Sequence, residues 1–119
     1  MNGAVLIRWG ASVPGREAMG LDVFGRAVGR FQELAKQGRV HSHHAFFSVT
    51  GHDGGFMMVD GDLDELMRIL GEEETLRLNA QAAATVEDFE IQAFAGGSDP
   101  AVRQLMSTYT AGLADMGYL

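Results

Sequence analysis

The chain has no cysteine, two prolines and one tryptophan among its 119 residues. Without cysteine there is no disulfide framework, no thiolate nucleophile and no Cys-type zinc site. A domain of this length can bury enough surface to hold together without such staples. Long hydrophobic runs are also missing. The apolar stretch Ala4 to Ile7 ends at Arg8, far short of a signal segment or a membrane span. The expectation is a cytoplasmic protein with no membrane partner. Positive charge is scarce, with 9 Lys and Arg against 16 Asp and Glu for a net charge of −7. An acidic chain without a basic stripe repels phosphate backbones, so no nucleic-acid partner is expected. No GxSxG motif, GxGxxG motif or phosphate loop occurs.

The apolar residues are arranged in clear periods. Residues 4–9 alternate as a strand. From about Arg16 to Gln37, Phe24, Val28, Phe31 and Ala35 recur at helical spacing, with Gly38 as the stop. Gly25 and Gly29 share a face of that helix. Each costs about 1 kcal/mol against alanine, so close approach to another element is the expected reason. Residues 40–50 and Phe56 to Asp60 read as two strands of a hairpin around the turn cluster Gly51 to Gly55. Asp62 is placed to cap a helix, with Glu65 completing a capping box. A further helical piece is expected over 73–83 and a fourth strand over 86–95. Asp99 then caps a C-terminal helix with Pro100 in its first turn.

The order β-α-β-β-α-β plus a final helix predicts one α+β domain over residues 1–119. It is the ferredoxin-like sandwich, a four-stranded antiparallel sheet with helices on one face. Alternation assigns Val5, Ile7, Trp9, Ala45, Phe47, Val49, Met57, Val59, Phe89, Ile91 and Ala93 to the helix side. The other face should be wet, yet it carries Leu6, Phe46, Phe56, Met58 and Phe94. Five large apolar groups predict a cover, either a second copy of the chain or the C-terminal helix folded back. The homodimer is the preferred expectation.

The element order over residues 4–95 and the stretch from Gly54 to Leu66 carry a likeness. A glycine turn, a short apolar strand, an acidic cap and a helix follow one another there. The chain resembles the dimeric α/β-barrel superfamily of ferredoxin-like proteins, the YCII-related families among them. That superfamily includes cofactor-free monooxygenases, haem-handling enzymes, lactone isomerases and proteins without known activity. The resemblance implies a ligand site between the sheet and whatever covers it. The His and Asp associated with YCII-related proteins match no particular position here.

Two groups of residues could carry chemistry. On the mixed face, Arg8, His44, Glu90 and Gln92 stand among Phe46 and Phe94. Arg8 could hold an oxyanion, His44 could act as a general base, and Glu90 could pair with Arg8 or move a proton. Ser48 lies four residues from His44 on the same face. The alternative is a buried Arg8–Glu90 ion pair with a hydrogen-bonded His44. The second group is His41 and His43, with His52 or a carboxylate as a third metal ligand. Polar residues at a strand entrance explain it as well, and no metal is predicted. The seven methionines read as adaptable packing, and no cofactor is expected. The functional expectation is a homodimer that binds or transforms a small organic ligand at the open face. A structural or regulatory dimer without catalytic activity is the alternative.

Overall fold

A computed structural model describes residues 1–51 and 54–119. The elements are β1 (Asn2–Trp9), α1 (Glu17–Lys36), β2 (Ser42–Phe47), β3 (Gly55–Asp62), α2 (Leu63–Leu70), α3 (Glu73–Thr85), β4 (Glu90–Ala95) and α4 (Asp99–Asp115). The strands form one antiparallel sheet in the order β2-β3-β1-β4. This is the ferredoxin-like α+β plan. Among the described residues no helix is long and apolar enough to cross a membrane. The middle of the expected turn, His52 and Asp53, lies outside the described residues.

The register confirms the two faces. Ile7 pairs with Met57 and Ile91, and Met57 pairs with Ala45. Leu6 pairs with Met58 and Gln92, and Met58 pairs with His44. The core lies on the first of these faces. Val5, Met57 and Val59 of the sheet meet Phe31 and Leu34 of α1, Val40, and Leu66 and Ile69 of α2.

Several boundaries differ from expectation, each for a local reason. The fourth strand starts at Glu90, not Val86, because Asp88 takes a left-handed φ of 54°. Aspartate tolerates that region better than most side chains. Val86 makes only an isolated bridge to Ser12. Val49 lies beyond the end of β2 and is exposed, so it is no part of the helix-facing set. The cap of α4 is Ser98, whose hydroxyl accepts from the Ala101 N–H at 3.3 Å, and Asp99 is already helical. Asp62 does cap α2, accepting from the Glu65 N–H at 3.3 Å. The reciprocal half of the capping box is absent, because the Glu65 carboxylate turns to Arg39 Nε at 2.7 Å and to Arg68.

The glycines of α1 are also reassigned. A side chain at Gly25 or Gly29 would meet nothing within 4 Å, so neither marks a close approach. Gly20 is the one that faces a neighbour, with Thr85 of α3 3.7 Å from its would-be Cβ. Gly25→Ala and Gly29→Ala should therefore each stabilise the domain, by up to about 1 kcal/mol in chemical denaturation.

The acidic residues ahead of α3 form an ion-pair hub. Arg30 of α1 reaches Glu72 at 3.0 Å and Glu74 at 2.7 Å. Arg39 reaches Glu72 at 3.1 Å and Glu65 at 2.7 Å. Three helices are tied by two guanidinium forks. The hydrogen bond from Arg39 holds the Glu65 carboxyl below the ordinary carboxylate range. The unfolded chain thus takes up this proton before the folded one does. The stability contribution is complete above the ordinary range and lost as pH falls through the folded value. Between about pH 5 and pH 3 the thermal midpoint should fall less steeply in Glu65→Gln than in the parent chain.

Candidate functional site

A cavity of about 530 Å³ opens on the helix side of the sheet, between β1, α1 and α3. It lies beside the core cluster, lined by facing residues of α1 and α3. Trp9 of β1, Phe24 of α1 and Phe47 of β2 form one wall. Trp9 lies 5.7 Å from each phenylalanine, and the two phenylalanines lie 5.3 Å apart, all ring to ring and steeply inclined. This edge-to-face arrangement suits aromatic quadrupoles. Gly55 makes it possible. In the register it sits between Trp9 and Phe47, and lacking a Cβ it lets β3 pair closely with the Phe46–Phe47 backbone that carries the Phe47 ring.

The opposite wall is one face of α3. Thr75, Asn79, Ala82 and Thr85 recur there at helical spacing. Thr75 accepts from Arg30 at 2.9 Å and 3.0 Å. Thr85 donates to the carbonyl oxygens of Gln81 and Ala82, each at 3.1 Å. Asn79, half-buried between them, presents a carboxamide with two donors and an acceptor. The charged residues of the lining are Glu17 at its exposed edge and Arg30, which is held by Glu72, Glu74 and Thr75. An aromatic wall, a few oriented polar groups and little free charge suit a planar, mostly apolar molecule.

The residues picked out by sequence lie elsewhere. Arg8, His44, Phe46, Glu90, Gln92 and Phe94 share the open face, and none of them lines this cavity. Arg8 and Glu90 do meet, at 4.0 Å, but as an exposed pair rather than a buried one. Phe46 and Phe56 stack at 5.1 Å. Phe46, Phe56 and Phe94 remain 52%, 37% and 46% exposed, so the chain does not cover its own apolar patch. Of the histidines, His43 falls on the helix side opposite Val59, while His41 precedes the strand and is exposed. His52 lies outside the described residues. Among the described residues no three His, Asp or Glu side chains gather as metal ligands would.

Alternation places Trp9 and Phe47 on the helix side, and Trp9 does pack against the core cluster, but the sequence does not show that both also wall a cavity. Sequence reasoning missed Asn79, Thr75 and Thr85. The available signal was the polar spacing along α3, where Thr75, Asn79 and Thr85 interrupt an otherwise aliphatic and alanine-rich helix face.

The chain matches no family model and no curated protein. Its fold does match solved structures. SnoaB, a cofactor-independent oxygenase from Streptomyces nogalater, is 19% identical with a TM-score of 0.62, over 82% of this chain and 94% of that one. Rv0793 from Mycobacterium tuberculosis is 13% identical with a TM-score of 0.67, over 83% and 98%. A dimeric protein of unknown function and ferredoxin-like fold from Bacteroides fragilis is 10% identical with a TM-score of 0.57, over 77% and 93%. At these identities the likeness defines the class of fold, a ferredoxin-like α+β domain. None of these three is described as YCII-related.

Proposed function

We propose that this chain is a homodimeric small-molecule protein whose cavity takes an electron-rich aromatic compound, and that it acts on it as a cofactor-independent oxygenase. The observation that carries the binding half is the 530 Å³ cavity walled by Trp9, Phe24 and Phe47 and faced by Asn79. The likeness to SnoaB supports the choice of reaction class. An oxygenase without a cofactor must draw its electrons from the substrate itself. The substrate must then be readily oxidised, as a phenol or quinol ring is. Asn79 is assigned to orient its ring oxygen by hydrogen bonding. The homodimer is assigned to the open face, where Leu6, Phe46, Phe56, Met58 and Phe94 require a cover. Arg8, His44, Glu90 and Gln92 then border that contact.

Trp9 is the chain's single tryptophan and stands in the cavity wall, so its fluorescence reports occupancy directly. Titration with a dihydroxynaphthalene should quench it saturably, and Asn79→Ala should weaken the half-saturation point by about tenfold. Oxygen uptake with the same compound should persist after exhaustive dialysis against chelator. Saturable quenching without oxygen uptake would leave a binding protein and sink the oxygenase assignment. Absence of quenching by a panel of phenols and quinols would sink both.

A further inference from the structure

We propose that α4 is an exchanged arm, which packs across the open sheet face of a second copy of this chain and reaches the Phe46–Phe56 edge of that sheet. This rests on the homodimer proposed above and specifies what holds it together.

Four observations converge on it. First, α4 stands largely clear of its own domain. Its packing is against β4, where Ala101 is buried and Leu105 and Val102 lie 3.8 Å and 3.9 Å from the position a Cβ on Gly96 would occupy. Beyond that point its apolar stripe is bare. Met106 is 58% and Tyr109 63% exposed, and Leu113 and Met116 continue the line. The radius of gyration is 16.9 Å, against about 13.5 Å for a compact chain of this length.

Second, the surplus surface is of dimer size. The accessible surface is 7590 Å², whereas a compact monomer of this mass shows about 6,300 Å². Roughly 1,300 Å² per chain is therefore left over, which doubled falls in the range of obligate dimers.

Third, α4 is a poor free-standing helix. Ser107, Thr108, Thr110 and Gly112 fall within its 17 residues, and isolated helices near that length are marginal even with good formers. It needs a surface to lie on.

Fourth, the directions agree. α4 follows the edge strand β4 through Gly96 and Gly97, with Val102 and Leu105 beside Gly96, so the arm leaves from the β4 edge of the sheet. Phe46 and Phe56 lie at the far edge of that face, on β2 and β3, and its own α4 leaves them bare. Stacking two such sheets about a two-fold axis parallel to the strands sets each β4 edge over the partner's β2 edge. A 17-residue helix, about 25 Å long, then lies along the partner's exposed phenylalanines. Both arms bury at once, as two-fold symmetry demands.

The test uses the full-length chain. In sedimentation equilibrium, a Met106→Glu, Leu113→Glu variant should raise the dimer dissociation constant by about 100-fold, with Trp9 quenching by the dihydroxynaphthalene retained. The chain has no native cysteine, so single sites can be cross-linked cleanly. A Met106→Cys chain mixed with a Phe46→Cys chain should be joined by a short bismaleimide. A Gln32→Cys chain, labelled on the outer side of α1, should not be joined to it. A parent chain that stays monomeric at about 10 μM overturns the dimer and the arm together. A dimeric parent with an unchanged dissociation constant in the glutamate variant, or without the Met106–Phe46 product, overturns the arm exchange and leaves a sheet-on-sheet dimer.

Discussion

Phenylalanine at both Ala27 and Ala82 is expected to abolish ligand binding while the domain stays folded. Both alanines line the cavity, one from α1 and one from α3, so two rings enter the space from opposite walls. The space is empty of protein atoms, so the rings should fit there and change stability by less than about 2 kcal/mol. Affinity for an aromatic probe should fall at least about 100-fold, as Trp9 quenching reads it. Arg8→Ala and His44→Ala, across the sheet, should leave that affinity unchanged. The reverse pattern would move the ligand to the open face, where sequence reasoning first placed it, and would end the cavity assignment.

Gly55→Ala is expected to remove both the fold's stability and the site. A Cβ there would stand 2.1 Å from the backbone oxygen of Phe46 and 3.1 Å from Phe47 Cα. These are backbone atoms in a paired strand, so they cannot swing aside. Either β2 separates from β3 or the strand end bends, at a cost of more than about 3 kcal/mol. For a domain this size the thermal midpoint should drop by more than about 12 °C. Phe47 belongs to the strand that must move, so the near-ultraviolet circular dichroism of the aromatic wall should collapse with it. A midpoint within a few degrees of the parent would show that the corner relaxes and that Gly55 is not needed for close packing.

The two faces of the sheet were legible because strand alternation has a fixed period. Once β1 is located, every residue from Ala4 to Trp9 has its side assigned, and the register with β3 and β4 keeps those sides. The open face was legible for the same reason, with Phe46 and Phe94 among polar groups. The ion-pair hub was not. Glu72 and Glu74 look like an ordinary acidic helix start, and nothing local says that Arg30 comes from 42 residues before Glu72, and Arg39 from 33, to meet them there. The start of β4 was misjudged because Val86 fits a strand locally, while Asp88 turns the backbone only in the context of the pairing between Ala11 and Glu87.

The candidate site shows the same division. Polar groups among aromatics drew attention to Arg8 and His44, which a linear pattern can place on one face. Whether a face holds a cavity depends on how far apart two helices stand, and that distance is set by long-range packing. Trp9 and Phe47 could be assigned to the helix side, but core and cavity wall look alike in a sequence. Periodicity and turn and cap signals thus determined the element order and the faces. Only the tertiary structure decided that α1 and α3 leave room above Trp9, that Asn79 looks into it, and that α4 stands away from the body. Alternation is a property of neighbouring residues. A void is a property of elements far apart in the chain.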